Sequence, residues 1–159
     1  MKKVLTTISL FTFFLAGCAG MKPADESSLT FDKAVEAPGI KKADIVDVLE
    51  QWLAKSDGFT EKYANRERGS IIGTVELKGL SLDGMGIMKG DINYTLQVDA
   101  KDEKFRIEFS KITVTLPATS AMAAETRGPT VSELQDYIKP KLLSYADQIS
   151  AAMTKQKNW

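Results

Sequence analysis

The sequence is constrained most by two neighbouring segments in which apolar and polar residues alternate. In residues 92–99 four apolar side chains alternate with four polar ones, and residues 105–109 repeat the pattern. Alternation with a period of two is typical of a β-strand that has one buried and one solvated face. The polar turn at 101–104 joins the two segments. The sequence therefore predicts an antiparallel hairpin in a sheet that is covered on one face only.

The alternation changes phase inside the second segment. Apolar residues occupy odd positions up to Phe109 and even positions from Ile112 onward. Because the side-chain period of a strand is two, this change requires one extra residue. We therefore expect a β-bulge near Ser110 and Lys111, and a bulge bends the strand that contains it.

The whole pattern predicts an α+β fold of order β-α-β-β-β-β-α. The other strands are expected at 30–37, 59–65 and 71–78, and the helices at 41–55 and from Thr130 to about residue 154. Since the central strands each have one apolar face, both helices are expected to pack on the same face of a curved antiparallel sheet. The uncovered face is expected to carry Thr74, Glu76, Asn93, Thr95, Gln97, Arg106, Glu108, Thr113 and Thr115.

Both predicted helices have clear signals in the sequence. The apolar residues of the first helix fall on one helical stripe, and Trp52 is expected to be buried between that helix and the sheet. Thr130 and Glu133 have the spacing of a capping box at the start of the last helix. Pro140 lies inside the last helix, where it has no N–H to donate, so a kink or a break is expected there.

The N-terminus has the features of a bacterial lipoprotein signal. Two lysines precede an apolar run at residues 4–15, which is shorter than the roughly 20 apolar residues of a membrane-spanning helix. The run ends in Leu15-Ala16-Gly17-Cys18, which resembles the lipobox of bacterial lipoproteins. The resemblance implies cleavage between Gly17 and Cys18 and lipidation of the Cys18 thiol. Cys18 is also the only cysteine of the chain.

Lipidation would make the membrane the first partner of the chain. In Gram-negative lipoproteins an Asp at the position of Ala19 retains the protein in the inner membrane, so the resemblance implies the periplasmic face of the outer membrane. Residues 18–29 are interpreted as a flexible tether because they are small and polar, and residues 30–156 as a single domain. Loss of residues 1–17 removes two lysines and leaves a net charge of −2. This charge provides no electrostatic reason to bind nucleic acid.

Several segments resemble a family of domains of unknown function found in bacterial envelope proteins. They are residues 31–39, which end in Glu36-Ala37-Pro38-Gly39, EQWLAK at 50–55, and GSIIG at 69–73. The family is the one numbered four-four-six-eight, which is described as TBP-like. KDEKFR at 101–106 is similar to the K-D-G-K-Y-R hairpin of that family, but Glu103 stands in place of the usual glycine. The resemblance spans about residues 31–149, implies an α+β fold and transfers no catalytic residues.

The residue types that carry most enzyme chemistry are missing. The chain has no histidine, which is the usual general base and the commonest zinc ligand, and its one cysteine lies at the lipidation site. Asp44, Asp47 and Glu50 recur every three residues, but they are expected to form a solvated helix face. We therefore predict no catalytic residue, no metal ligand and no cofactor, and we expect a protein that is not an enzyme.

Two surfaces are candidates for contact with a partner. The glycine-rich segment 79–90 contains Leu82, Met85, Ile87 and Met88, which do not form a regular apolar stripe. These four side chains are expected to be partly exposed and to contact a partner or the membrane surface. The polar sheet face is the second candidate, for a peptide, a glycan or an envelope protein.

Two functions are compatible with the sequence. The favoured one is a lipid-anchored, periplasm-facing module that binds or interacts without catalysis. The alternative is a carrier of a small apolar ligand or lipid, with a cleft between the sheet and the helices. A carrier should have apolar residues in excess of two helix stripes and one sheet face, and the sequence contains no such excess.

Overall fold

One antiparallel sheet forms the centre of the computed structural model, which describes residues 22–56, 58–120 and 123–157. The strands are β1 (Phe31–Glu36), β2 (Phe59–Asn65), β3 (Ser70–Ser81), β4 (Lys89–Lys101), β5 (Lys104–Leu116) and β6 (Glu125–Arg127). They lie in the order β1-β5-β4-β3-β2, and β6 also pairs with β5. The sequence predicts five of these strands and does not predict the three-residue β6.

Two helices cover one face of this sheet. The first, α1 (Lys42–Ala54), lies over β4 and β5, and the second, α2 (Lys139–Lys157), packs against α1 and β1. Their apolar sides meet the apolar face of the strands. The largest fully buried side chains are Phe109, Ile45, Leu49, Ile71, Ile92, Ile107, Ile112, Leu134, Ile138, Leu142, Ile149 and Met153. The predicted α+β fold, with both helices on one face, is confirmed.

The predicted bulge lies in β5 at Lys111. Here Lys111 and Ile112 together oppose the single residue Tyr94 of β4. Lys111 has a φ of 54°, in the left-handed region. The extra residue returns Ile112 to the face that Phe109 occupies, and both side chains are buried.

Two further bulges, in β3 and β2, are not predicted from the sequence. In β3, Lys78 and Gly79 oppose Asp91, whose carboxylate accepts a 2.8 Å hydrogen bond from the N–H of Gly79. Gly79 has a φ of 64°, a conformation that glycine adopts without steric cost. In the edge strand β2, the register shifts by one residue between Glu61 and Tyr63.

The last helix begins with the predicted capping box. The hydroxyl of Thr130 accepts a 3.3 Å bond from the N–H of Glu133, and the Glu133 carboxylate accepts a 2.7 Å bond from the N–H of Thr130. Residues Glu133–Ile138 then form a π-helix that leads directly into α2. In a regular helix, the ring of Pro140 would clash with the carbonyl four residues earlier. The expected irregularity at Pro140 is thus a widened helix, not a break.

The carboxylate of Glu133 is buried and forms an ion pair with Arg127. Two hydrogen bonds of 2.8 and 2.7 Å join the guanidinium to the two carboxylate oxygens, and Glu133 is only 3% exposed. Burial by itself would raise the pKa of the Glu133 carboxyl. The hydrogen bonds from Arg127 and Thr130 outweigh burial and hold the pKa below its ordinary value of 4.5. The pair fastens β6 to the first turn of the last helix.

Residues 22–29 pack against the domain, so the prediction that they form part of a flexible tether is wrong. The N–H of Ala24 donates to the carbonyl of Pro129, and the carbonyl of Lys22 accepts from the N–H of Val131, each at 2.9 Å. A 3-10 helix at Glu26–Leu29 follows and packs Leu29 against the core. Composition indicates a tether because the segment is polar, but backbone hydrogen bonds hold it. Residues 1–21, including Gly17 and Cys18, lie outside the described residues.

The backbone conformation at position 103, in the turn between β4 and β5, explains why the family to which the chain is similar usually has a glycine there. Glu103 has a φ of 64°, which glycine adopts freely and other residues rarely adopt. The carboxylate of Glu103 accepts a 2.9 Å bond from the N–H of Gly39, and its N–H donates to the carbonyl of Ile40. These bonds fasten the turn to the loop before α1.

We predict that Glu133→Ala lowers the free energy of unfolding by about 2–3 kcal/mol, measured by urea denaturation at neutral pH. Removing one partner of a fully buried ion pair costs about 3–5 kcal/mol. We expect a smaller loss here, because the Arg127 side chain is 27% exposed and water can solvate the guanidinium that is left. Glu125→Ala, on exposed β6, is the matched control and should change stability little.

The same pair predicts an acid dependence of stability. The pKa of Glu133 is lower in the folded chain than in the unfolded chain, so the stabilisation is present above about 4.5 and is lost as the pH falls through the folded-state pKa. Glu133→Gln should remove this part of the acid dependence. An unchanged acid dependence in that variant would contradict the assignment.

Candidate functional site

One carboxylate organises the hairpin tip, which we define as residues 82–88 between β3 and β4. Asp83 accepts a 3.0 Å bond from the N–H of Ile87 with one oxygen and a 2.9 Å bond from the N–H of Met88 with the other. The N–H of Leu82 closes the tip by donating to the carbonyl of Met88 at 2.8 Å. The bond from Met88 is the main reason that the pKa of Asp83 lies below its ordinary value.

Met85 and Ile87 project from the tip into solvent. They are 79% and 78% exposed, and Met88 is 37% exposed. Leu82, in contrast, is 3% exposed, so the prediction that it lies at the surface is wrong. Gly90 makes room for it, because a β-carbon at Gly90 would lie 2.8 Å from a methyl group of Leu82.

The structure therefore places all four predicted contact residues on the tip and exposes three of them, Met85, Ile87 and Met88. Sequence reasoning missed Asp83, on which the shape of the tip depends. Its signal is the Asp-Gly pair at 83–84, because an Asp in a turn commonly accepts hydrogen bonds from N–H groups that follow it in the chain.

The uncovered sheet face is polar. The nine side chains predicted for it lie on β3, β4 and β5 at positions that alternate with buried ones. A row of hydroxyl groups crosses four strands through the neighbours Thr60, Thr74, Thr95 and Ser110. Sequence reasoning did not assign Tyr63 to this face. Tyr63 pairs with Ile72 and is 45% exposed.

The charges of the uncovered face are mixed. Arg106 lies 3.7 Å from Asp99 and 3.9 Å from Glu108, in exposed pairs that stabilise little. A depression of about 580 Å³ lies at the end of the sheet that carries the β2–β3 and β4–β5 turns. Its charged lining residues are Arg68, Asp99, Lys101, Lys104 and Arg106.

A cleft of about 360 Å³ opens between the helices and the β2 edge of the sheet. This volume is near the lower limit for small-molecule sites. Val75, Leu77 and Leu96 provide apolar lining from the strands, and Trp52 and Tyr145 provide it from the helices. Burial raises the pKa of the Tyr145 hydroxyl above its ordinary value of 10.0.

Trp52 is half-buried in this cleft, so the prediction that it lies buried under α1 is wrong. Leu49 and Leu53 occupy the core-facing positions of the helix instead. Trp52 is turned toward α2 and meets Tyr145 edge to face, with ring centroids 5.7 Å apart. The apolar stripe predicts which side of α1 is apolar. It does not predict that Trp52, at the edge of this side, contacts α2 instead of the sheet.

The acidic residues of α1 face a cation from the chain itself. Arg66 lies 3.3 Å from the Asp47 carboxylate, and it donates to both oxygens of Glu50. The described residues contain no group of three or more His, Cys, Asp or Glu side chains that could hold a metal ion. Within the same residues, no helix has both the length and the apolar character to cross a membrane.

The family of the chain follows from a match to a family model. Residues 31–115 match the domain of unknown function DUF4468, which has a TBP-like fold. The chain belongs to the DUF4468 family. The matched range runs from β1 almost to the end of β5, so it includes the hairpin tip of this DUF4468 protein.

Two solved structures share the fold of this DUF4468 protein. A TBP-like protein from Parabacteroides distasonis ATCC 8503 aligns with a TM-score of 0.68 over 86% of this chain and 97% of its own, at 18% identity. A DUF4468 family protein from Bacteroides ovatus ATCC 8483 aligns with a TM-score of 0.59 over 84% and 91%, at 20% identity. The likeness establishes the TBP-like fold and no function. No curated protein matches the chain.

We predict that Asp83→Ala speeds the hydrogen exchange of the Ile87 and Met88 amides, because it removes the acceptor of both. Exchange of the core amides should not change. Asp91→Ala is the matched control, since it removes only the acceptor of Gly79 at the β3 bulge. Exchange measured residue by residue by NMR tests this, and equal protection of both tip amides in Asp83→Ala and wild type would show that another contact orders the tip.

Proposed function

We propose that this DUF4468 protein is a lipid-anchored protein of the cell envelope, and that it works without catalysis by contact through its hairpin tip. The lipid on Cys18 is the proposed anchor, and the periplasmic face of the outer membrane is the proposed location in a Gram-negative host. The observation that carries the proposal is the exposure of Met85 and Ile87, at 79% and 78%, on a loop that Asp83 holds in shape.

The length of the tip supports a role in contact. A hairpin loop that only joins two strands commonly has two to five residues, whereas this tip has seven, from 82 to 88. Hydrogen bonds to Asp83 and the Leu82–Met88 bond hold its backbone, and the exposed side chains of Met85 and Ile87 add little to the core. Exposed apolar groups on an ordered loop are typical of interaction sites, and methionine adapts to irregular surfaces.

The chemistry of the chain supports a role without catalysis. The sequence has no histidine, and its one cysteine lies at the proposed lipid site. The oxygens of the buried Glu133 carboxylate already accept hydrogen bonds from Arg127 and from the N–H of Thr130 in the same chain.

We predict that Cys18→Ser abolishes the incorporation of labelled fatty acid and moves the protein from the membrane to the soluble fraction. Each buried CH₂ of an acyl chain contributes about 0.8 kcal/mol, so loss of the lipid removes the anchor. Ala19→Asp is the matched variant. It should keep the lipid and shift the protein to the inner membrane, and membrane association that survives Cys18→Ser would contradict the anchor.

We predict that the double substitution Met85→Ser and Ile87→Ser changes the free energy of unfolding by less than about 1 kcal/mol, because both side chains are exposed. Leu82→Ser on the same tip should be far more destabilising, because it places a hydroxyl in the core. Urea denaturation compares the two. A large loss in the double variant would show that the tip serves the core.

Contact itself is tested by crosslinking in cells. A photoreactive residue at position 87 should crosslink to a lipid or an envelope component. The same residue at position 44, on the exposed side of α1, should not. No more crosslinking at 87 than at 44 would contradict contact through the tip.

The cleft beside Trp52 favours a second candidate function, the carriage of a small apolar ligand. Its apolar lining and its position between the helices and the sheet fit such a ligand, although its volume admits only a small one. Trp159→Phe leaves Trp52 as the single tryptophan. Energy transfer from Trp52 to a dansylated fatty acid, reversed by unlabelled fatty acid, would support a carrier. Absence of transfer would exclude this ligand class from the cleft.

A further inference from the structure

Four of the five exposed large hydrophobic side chains of the described residues lie at one end of the sheet, the hairpin end, where β3 stops and β4 starts. The fifth, Tyr63, lies toward the far end. Met85, Ile87 and Met88 lie on the hairpin tip, and Val131, 38% exposed, lies at the start of the last helix. The tip adjoins that helix, because a β-carbon at Gly84 would lie 3.6 Å from the hydroxyl of Tyr137.

The chain enters the described domain at this same end. The carbonyl of Lys22 accepts a 2.9 Å bond from the N–H of Val131. The neighbouring residue Pro23 forms an antiparallel bridge with Thr130. The first described residue is therefore fixed beside one of the exposed apolar side chains.

Little chain separates this point from the proposed lipid. Residues 18–21 connect Cys18 to Lys22, and four residues span at most about 14 Å even when fully extended. A lipid on Cys18 thus holds Lys22, at the hairpin end, within about that distance of the lipid attachment point. The β2–β3 and β4–β5 turns lie at the far end of the sheet, opposite this attachment point.

We propose that the hairpin tip dips into the interfacial layer of the bilayer that holds the lipid of Cys18. This inference rests on the proposed function, since the lipid brings the tip to the surface. With the domain anchored, insertion of the tip is an intramolecular step with a high effective concentration. A few apolar side chains are then sufficient, although they would not hold an unanchored domain.

The hydrogen bonding and charge of the tip suit the interfacial layer of a bilayer. Its Ile87 and Met88 N–H groups are bonded to Asp83, and its Leu82 N–H to a carbonyl, so these groups lose no hydrogen bond when water is excluded. The exposed Lys89 follows the tip directly, where its ammonium group can reach lipid phosphates. The uncovered sheet face stays accessible to a periplasmic partner.

The experiment places an environment-sensitive fluorophore on the full-length lipidated chain. The label is attached at Ile87→Cys or, as the matched control, at Tyr63→Cys. Tyr63 is also an exposed large side chain, and it lies toward the far end of the sheet. Both proteins are placed in vesicles of phosphatidylethanolamine and phosphatidylglycerol that contain nitroxide-labelled lipid. We expect a blue shift and a loss of fluorescence at position 87 and neither at position 63.

The outcomes separate this inference from the proposed function. Mass spectrometry and sedimentation of the vesicles report whether the chain carries lipid and is anchored. An anchored chain whose label at 87 remains as water-exposed and as unquenched as the label at 63 overturns the membrane contact alone. A label at 87 that becomes shielded only when an envelope protein is added also overturns it, in favour of a protein partner. A chain that carries no lipid contradicts the proposed function and this inference with it.

Discussion

A buried carboxylate determines where three parts of the chain meet. Glu133 lies inside the domain, where an unpaired charge would be costly, and Arg127 and the N–H of Thr130 satisfy its oxygens. Arg127 belongs to β6, which pairs with β5, and Thr130 forms a bridge with Pro23. The start of the last helix, the edge of the sheet and the entry of the chain are therefore fixed together at the hairpin end.

The two faces of the sheet have different properties. Its apolar face is covered by α1 and α2, whereas its other face is lined by hydroxyl, amide and mixed charged groups. The hairpin tip extends past the covered face and carries apolar side chains that the core does not need. Under the proposed anchoring, this arrangement directs the tip toward the bilayer.

Local periodicity predicts the fold of this chain well because a strand period of two and a helix stripe are properties of neighbouring residues. The phase change after Phe109 even predicts the bulge at Lys111, since a lost alternation is visible in the sequence. The bulge at Lys78 and Gly79 has a similar signal, since the apolar positions change from odd to even between Leu77 and Leu80. Sequence reasoning missed it because the predicted strand ends at residue 78, before the change. Beyond Pro140 and the capping box, nothing local indicates that the helix widens into π turns or that Glu133 is buried.

The errors at the candidate site come from contacts between distant residues. Leu82 is buried because Gly90 leaves space for it, and Trp52 is turned toward Tyr145 of α2 and is only half-buried. Residues 22–29 have the composition of a linker, yet they are held by hydrogen bonds to residues about a hundred positions away. Composition and spacing therefore found the exposed Met85, Ile87 and Met88, but not the Asp83 carboxylate and the chain entry that determine what these side chains can touch.

The central claim is that the hairpin end of the anchored domain faces the bilayer, and methionine methyl groups test it without any substitution. Met85 and Met88 lie on the tip, whereas Met153 lies buried in α2, roughly 30 Å along the helix from Val131. The measurement is the broadening of the methyl NMR signals of the lipidated chain in nanodiscs that contain a gadolinium-chelating lipid. The account predicts strong broadening of the Met85 and Met88 signals and little broadening of the Met153 signal. Equal broadening of the three, or stronger broadening of Met153, would contradict it.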